Sequence, residues 1–229
     1  AAEGVRFDRA YCQYPSCGPS RVSLLTGLRP DRGRVYLNEI SNRLGRPRAI
    51  TLPQWFRQHG HFTARVGKVF HYGVPKDIGT DGLDDPISWD EVANPVGVDK
   101  EVEAQLVNRT PKRGLGWAVS SMEVPDEAGQ HTDEKVTEET IRLMRESRDR
   151  PFFIAAGYFR PHPPLIAPER HFEAIPPESI SLPEFDPSVL EDAPEPAFLI
   201  RPPNYGLAPK HLREFKRAYL ASIRLIDEQ

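Results

Sequence analysis

The run Phe152-Phe-Ile-Ala-Ala-Gly-Tyr-Phe159 constrains the fold more than any other stretch of this sequence. It is almost wholly apolar and carries no charge, which is typical of a central strand covered on both faces in a parallel sheet. A helical pattern precedes it, beginning at Thr132 or Asp133 and ending before Pro151. A helix followed by a buried strand indicates an α/β fold, in which a mostly parallel central sheet lies between helices.

A second helix-to-strand unit lies earlier in the chain. Thr51 is a helix-capping residue type, Gly60 is a stop signal, and Phe62-Thr-Ala-Arg-Val66 follows with the composition of a strand. The repeated order supports the α/β interpretation.

Basic side chains follow both predicted strands. Lys68 and His71 come directly after the first, and His162 follows the second in the rigid segment Arg160-Pro-His-Pro-Pro164. A single lysine or histidine in such a place is more often an ordinary surface residue. Open α/β sheets, however, bind ligands at the carboxyl ends of their strands, so we expect these three side chains to meet at one edge.

The segment Cys17-Gly-Pro-Ser-Arg21 predicts a helix start, and Gly27 suits the left-handed residue just past the end of that helix. Cys17 then lies at the positive end of the helix dipole, with Arg21 one turn further on, an arrangement that favours an anion. A cysteine at a helix start is otherwise commonly a small buried residue. A redox pair between Cys17 and Cys12 is a further, weaker alternative.

The net charge, the cysteine count and the length of the apolar runs exclude several classes of protein. The 229 residues carry a net charge of -3, which gives no indication of nucleic-acid binding. Two cysteines cannot form a disulfide framework, and no apolar run approaches the ~20 residues of a membrane span. The first four residues have neither the basic region nor the apolar core of a signal peptide. Asp81, Asp84 and Asp85 lack the spacing of a calcium loop and favour a solvated turn.

The 24 prolines indicate much irregular structure. We predict a loop over 28–50, a long irregular insertion over 72–130, and a surface segment without regular structure over 176–209. Residues 209–228 predict an amphipathic helix. Its expected apolar face consists of Leu212, Phe215, Tyr219, Ile223 and Ile226.

Taken with the Val-Ser-Leu-Leu-Thr-Gly that follows Arg21, the cysteine segment resembles the signature of the type I, formylglycine-dependent sulfatases. Two further motifs support the resemblance: Gly-Lys-Val-Phe-His at 67–71 is similar to the iduronate-2-sulfatase-like form, and Gly-Tyr-Phe-Arg-Pro-His resembles a sulfatase strand end in which Lys is usual where Arg160 stands. The resemblance implies an alkaline phosphatase-like sulfatase fold, incomplete at both ends. Residues 1–229 would form part of the catalytic domain, with its N-terminal and C-terminal portions missing.

For the reacting residue, the resemblance implies that Cys17 is oxidised to formylglycine by a formylglycine-generating enzyme. The hydrated aldehyde would attack sulfur and also give one oxygen to a Ca²⁺ ion. The other metal ligands would lie outside this sequence, since the family's acidic pair before the nucleophile and its Asp with Asn or His plus a Lys afterwards have no counterpart here.

Roles for four more residues follow from the same motifs. Arg21 would hold the hydrate, and Lys68 would bridge formylglycine and sulfate. His71 would hydrogen-bond the hydrate and assist elimination of sulfate. His162 would bind the sulfate and help protonate the leaving oxygen, since cations and a general acid stabilise the charge that develops there.

Tyr36 and Arg160 are the expected substrate-binding residues. Tyr36 matches a pocket tyrosine of the iduronate-type enzymes, although a packed loop residue is an equal alternative. The planar fork of Arg160 would suit a uronate carboxylate. The expected substrate is a sulfated carbohydrate of the glycosaminoglycan type, in an extracytoplasmic compartment: periplasmic, secreted or lysosomal. A phosphodiesterase or phosphonate hydrolase of the same superfamily, and an inactive glycan-binding fragment, are the alternatives.

Overall fold

The computed structural model describes residues 4–184, 186, 188, 191, 193–194, 200 and 202–229. Within these residues the helices are α1 (Cys17–Thr26), α2 (Pro30–Gly33), α3 (Asn42–Gly45), α4 (Leu52–Gln58), α5 (Val98–Glu101), α6 (Thr132–Glu146), α7 (Glu169–Glu173) and α8 (Pro209–Asp227). Short 3₁₀ turns are Pro86–Ser88, Val102–Gln105, Leu115–Trp117, Asp126–Ala128, Pro177–Ser179 and Pro203–Gly206. No described helix combines the length and apolar content needed to cross a membrane.

Six strands form two sheets in the described part of the chain. The strands are β1 (Phe62–Gly67), β2 (Glu91–Ala93), β3 (Val107–Asn108), β4 (Ser120–Val124), β5 (Phe152–Gly157) and β6 (Leu165–Pro168). The first sheet has the order β2-β1-β5 and is parallel throughout. The second has the order β3-β4-β6, with β3 antiparallel and β6 parallel to β4.

The chain divides into two compact units. The first comprises residues 1–73, 79–94 and 138–157, and the second comprises 74–78, 95–137 and 158–229. The first sheet belongs to the first unit, and the second sheet with α8 belongs to the second. A single partial catalytic domain over 1–229 stays a prediction.

In the first unit, the predicted helix-to-strand order is confirmed. The Thr51 hydroxyl accepts a hydrogen bond from the Gln54 N–H at 3.2 Å, Gly60 adopts a positive φ of 81°, and β1 follows. The apolar run 152–159 forms β5 at residues 152–157, but this strand lies at the edge of the described sheet, and Phe152 is 37% exposed. The expectation of a fully covered central strand is therefore wrong for β5. The central strand of this sheet is β1, because it pairs with a neighbour on both sides.

Two segments predicted as irregular contain regular structure. The 28–50 loop includes α2 and α3, and the 72–130 insertion includes β2, α5, β3 and β4. Each of these elements is at most five residues long, so each is too short for its periodicity to stand out in the sequence. The prediction for 176–209 falls partly outside the described residues.

The second unit has its core between β6 and α8. Leu165 and Ala167 of β6 cluster with Ala218 and Ala221 of α8. The helix is confirmed over 209–227, but its predicted face is only partly right, since Tyr219 is 43% and Ile223 39% exposed. The two alanines take the inner face because small side chains let the helix lie close to the strand.

Candidate active site

Helix α1 presents Cys17 at its N-terminus, as predicted. Ser16 is the N-cap residue with extended φ and ψ, and Gly27 closes the helix at φ 68° with its N–H bonded to the Ser23 carbonyl at 2.9 Å. Cys17 is a free, half-buried thiol, whereas Cys12 is a free thiol on the surface. The first turn of α1 contains no acidic residue that would repel an anion from the positive end of the helix dipole.

Asn38 fixes the start of α1 from outside the helix. Its Oδ1 accepts hydrogen bonds from the Gly18 N–H at 2.7 Å and from the Ser16 hydroxyl at 2.9 Å. A Cβ at position 18 would lie 3.0 Å from Oδ1 and 3.1 Å from Cα of Asn38, so glycine permits this close approach. No local pattern predicts this role of Asn38, because its partner Gly18 is 20 residues away in the sequence.

Arg21 joins the nucleophile helix to the end of β1. One guanidinium nitrogen, Nη1, donates to the backbone carbonyls of Lys68 at 3.0 Å and Val69 at 2.8 Å. Burial lowers the pKa of Arg21, while nearby Cys17 and Tyr72 act in the opposite direction. Arg21 therefore does two things: it places a positive charge near Cys17, and it binds the backbone at Lys68.

Lys68 is placed by the pairing of β1 with β5. Its N–H donates to the Gly157 carbonyl at 2.8 Å, and a Cβ on Gly157 would lie only 2.3 Å from the Lys68 carbonyl oxygen. Gly67, just before it, takes a positive φ of 71°. Lys68 is 3% exposed, and its ammonium lies 5.7 Å from the centroid of the Tyr72 ring. His71, three residues on, is half-buried.

The end of β1 is anchored by Arg65, whose side chain is 1% exposed. Its Nε donates to Asp84 at 2.5 Å and its Nη2 to Asp81 at 3.2 Å. Its Nη1 donates to the Gly67 carbonyl at 2.9 Å and to Asn94 at 2.8 Å. Arg65 therefore holds the residue immediately before Lys68.

The aspartates of the 81–85 segment are structural. The Asp84 and Asp85 side chains are 5% and 1% exposed, and Asp85 forms a two-point ion pair with Arg43 at 2.7 and 2.6 Å. The prediction of a solvated turn is wrong for these two residues, because each is buried against an arginine. Asp81 is 71% exposed, as a turn residue should be.

The described residues do not fit a calcium ion by themselves. Calcium takes 6–8 oxygen ligands, and the described part of the chain contains no group of three or more His, Cys, Asp or Glu side chains placed to hold a metal. Asp84 and Asp85 are already paired with arginines. Cys17, as formylglycine, would contribute a single ligand.

Tyr36 lies between α2 and α3, two residues before Asn38, and is 45% exposed. Its ring centroid is 6.3 Å from that of Tyr14. The side chain is thus accessible in the first unit, near the chain segment that caps the nucleophile helix.

The second unit contains His162, five residues after the end of β5. Its N–H donates to the Phe159 carbonyl at 2.9 Å, and its Nδ1 lies 2.6 Å from the Pro163 carbonyl oxygen. When Nδ1 carries the proton and donates to that carbonyl, Nε2 is the nitrogen that can act on a substrate. The convergence of His162 with Lys68 and His71 stays a prediction.

Arg160 is an internal residue rather than a substrate-facing one. Its side chain is 1% exposed and donates through Nη2 to Asp99 at 2.7 Å, with Nε on the Ile166 carbonyl at 3.2 Å and Nη1 on the His162 carbonyl at 3.4 Å. The predicted pairing of Arg160 with a uronate carboxylate is therefore wrong, because the buried Asp99 carboxylate binds this guanidinium.

The Asp133 side chain binds the backbone of the segment that contains Arg160. Its two oxygens accept hydrogen bonds from the N–H groups of Phe159 at 2.7 Å and Arg160 at 3.0 Å. Burial raises its pKa to about 6 despite the nearby guanidinium and these bonds. Burial would also raise the pKa of Asp99, but Arg160 and the bonds from Thr132 hold it below its usual value. From the sequence alone, Asp133 is predicted only as a possible cap of α6.

Comparison with known proteins places the chain. The family model described as Sulfatase matches residues 1–229, and the chain is 31% identical over its whole length to the iduronate 2-sulfatase of Mus musculus, of which it spans 44%. The phosphonate monoester hydrolase of Agrobacterium radiobacter matches with 18% identity and a TM-score of 0.62, over 95% of this chain and 49% of that one. A protein solved with its substrate D-glucosamine-2-N,6-O-disulfate gives 17% identity and a TM-score of 0.57, over 99% and 53%.

The two structural matches have too little sequence identity to indicate more than a shared fold, and they confirm the predicted alkaline phosphatase-like α/β class. The family model covers the chain from end to end. This chain belongs to the sulfatase family.

Proposed function

We propose that this protein hydrolyses the sulfate ester of a sulfated sugar, with formylglycine made from Cys17 as its nucleophile. The observation that carries the proposal is the placement of Cys17 at the N-terminus of α1, beside Arg21, whose guanidinium binds the backbone at Lys68. Two cations and the positive end of a helix suit the anionic sulfate group of a sulfate ester and the further negative charge that develops on its ester oxygen.

In this mechanism one hydroxyl of the hydrated side chain at position 17 attacks sulfur and loses its proton to water, while the bond between sulfur and the sugar oxygen breaks. Arg21 orients that hydrate, and Lys68 binds both it and the sulfate. The near-complete burial of Lys68 strengthens its attraction for an anion, because electrostatic interactions are stronger away from water. Rigid placement matters, since a well-oriented reacting group lowers the entropy cost of reaction.

Two histidines handle protons. His162 protonates the leaving sugar oxygen through Nε2, with its Nδ1 on the Pro163 carbonyl. His71 then accepts a proton from the second hydroxyl at position 17, which expels sulfate and restores the aldehyde. A proton donor of this kind typically contributes 10²–10⁴-fold to the rate.

Cofactor, maturation partner and compartment extend the proposal. Calcium is the metal we propose, with its other ligands outside the described residues, and none of the steps above depends on it. The formylglycine-generating enzyme would mature Cys17, and the compartment would be extracytoplasmic. A sulfated glycan is the proposed substrate because relatives include an iduronate 2-sulfatase and a protein solved with a sulfated glucosamine.

The test is hydrolysis by the protein as its gene encodes it, matured in cells that contain the formylglycine-generating enzyme. We expect release of sulfate from an aryl sulfate and from a sulfated uronate disaccharide, and much slower cleavage of an aryl phosphate diester or phosphonate. Cys17→Ala should abolish this activity and Cys12→Ala should retain it, since Cys12 is an exposed residue outside the helix.

A preference for the phosphonate would favour the hydrolase alternative. Binding of the sulfated sugar without turnover would favour an inactive glycan-binding protein.

A further inference from the structure

We infer that Asp133, Asp99 and Arg160 act together as positioning residues for His162, a role that rests on the acid function proposed above. All three are in the second unit and are at most 5% exposed. We call these three residues the histidine clamp. None of them has to touch the substrate.

The first half of the clamp acts on the backbone before His162. Asp133 receives two consecutive N–H groups, those of Phe159 and Arg160, at 2.7 and 3.0 Å. The Phe159 carbonyl in turn receives the His162 N–H at 2.9 Å. Asp133 thus fixes the turn from which His162 projects.

The second half acts on the backbone after His162. The Arg160 guanidinium reaches the carbonyls of His162 and Ile166 and so spans the proline-rich segment between them. Asp99 holds that guanidinium at 2.7 Å and is itself fixed by the N–H and hydroxyl of Thr132, both at 2.7 Å. Because a planar guanidinium donates in fixed directions, this pairing sets the orientation of the segment.

A general acid needs such support. Misplacement of a reacting group by about 1 Å costs on the order of 10²-fold in rate. Three prolines leave the 161–164 segment few N–H groups with which to fix itself. The carboxylates and the guanidinium supply the missing anchors.

Adjacent carboxylates in the first turn of α6 provide a matched pair of variants. Asp133→Asn leaves one of the two N–H groups facing an amide donor. Glu134→Gln is the control, because Glu134 also accepts a backbone N–H, that of His131 at 2.6 Å, but contacts Arg170 rather than the His162 segment. Both changes replace a carboxylate with its amide.

The kinetic readout is the dependence of kcat on the leaving group. Asp133→Asn should lower kcat about tenfold more for a sugar sulfate than for an activated aryl sulfate, which needs little protonation. Glu134→Gln should leave the ratio of the two rates as in the wild type. Equal ratios in Asp133→Asn, Glu134→Gln and wild type would overturn the proposal.

A second variant tests the clamp if Asp133→Asn fails to fold, and a second measurement tests it if the protein shows no sulfatase activity. Arg160→Lys keeps a cation opposite Asp99 but loses the fork, and we expect the same selective loss at about threefold. In ¹⁵N spectra of histidine-labelled protein, with His162 assigned by its absence from His162→Gln, both clamp variants should shift or broaden the His162 imidazole signals. Glu134→Gln should not.

The spectra report the position of His162 even if the protein cleaves no sulfate ester. Failure of the proposed function can therefore be distinguished from failure of the histidine clamp. Unchanged His162 signals in Asp133→Asn and Arg160→Lys would contradict the clamp.

Discussion

Replacing Arg65 with Met should be among the most destabilising single changes in the first unit. Arg65 is 1% exposed on the central strand. Among the residues that the structure describes, its removal leaves the Asp84 carboxylate, which is 5% exposed, with one side-chain donor, the Trp89 indole N–H at 3.1 Å. Arg65→Met also releases the Gly67 carbonyl just before Lys68. We therefore expect the change to affect both stability and turnover.

The size of the expected loss of stability follows from the burial of the Arg65–Asp84 ion pair. Breaking a buried ion pair by removing one partner costs about 3–5 kcal/mol, because the other charge is left uncompensated. For a chain of this size, 1 kcal/mol corresponds to roughly 2–4 °C in Tm, so the expected decrease is roughly 6–20 °C. Asp81→Asn removes a contact of the same arginine to a carboxylate that is 71% exposed, and exposed pairs contribute about 0–1 kcal/mol.

The assay is urea unfolding followed by tryptophan fluorescence, since Trp89 is buried beside this ion pair. Arg65→Met should lower the free energy of unfolding several-fold more than Asp81→Asn. The double variant Arg65→Met/Asp84→Leu should recover most of the loss, because no buried charge remains. Equal effects of the two single variants, or a double variant as unstable as Arg65→Met, would refute the reasoning.

Three further predictions concern the site. His162→Ala should lower kcat on a sugar sulfate by about 10²–10⁴-fold and much less on an activated aryl sulfate; equal losses in the two assays would remove the acid role. Tyr36→Ala should raise KM for the sugar sulfate with little change for a small aryl sulfate, and an unchanged KM would exclude pocket contact. Because the pKa of Asp133 is raised to about 6 in the folded protein, folded Asp133 takes up a proton before the unfolded chain does. Stability from this group therefore rises by about 2 kcal/mol as pH falls from 7 to 4. Buried His131, whose pKa is lowered, acts in the opposite direction, so the comparison is wild type against Asp133→Asn in urea unfolding at both pH values. A variant that keeps the wild-type pH dependence would contradict this assignment.

Local signals in the sequence predict the elements that carry the candidate site. The Thr51 cap, the β1 strand, the α6 helix and the Gly27 helix end were all identified correctly, because each depends on residues within a few positions of one another. Lys68 and Cys17 could be placed for the same reason.

Pairings between distant residues could not be predicted in this way. Asn38 caps a helix 20 residues away, and Arg160 pairs with Asp99 across 61 residues. The positive charge of Arg160 is compatible with a substrate carboxylate, but in the fold this side chain is buried and pairs with the Asp99 carboxylate. The sequence predicts Asp84 and Asp85 as solvated turn residues because their partners, Arg65 and Arg43, are 19 and 42 residues away.

The most direct test of the central claim is mass spectrometry of the peptide that contains Cys17, from protein made in cells with the formylglycine-generating enzyme. We predict an aldehyde at position 17, captured by an aldehyde-specific reagent, with the exposed Cys12 thiol unmodified in the same sample. An unmodified thiol at both positions, or a Cys12–Cys17 disulfide, would contradict the account.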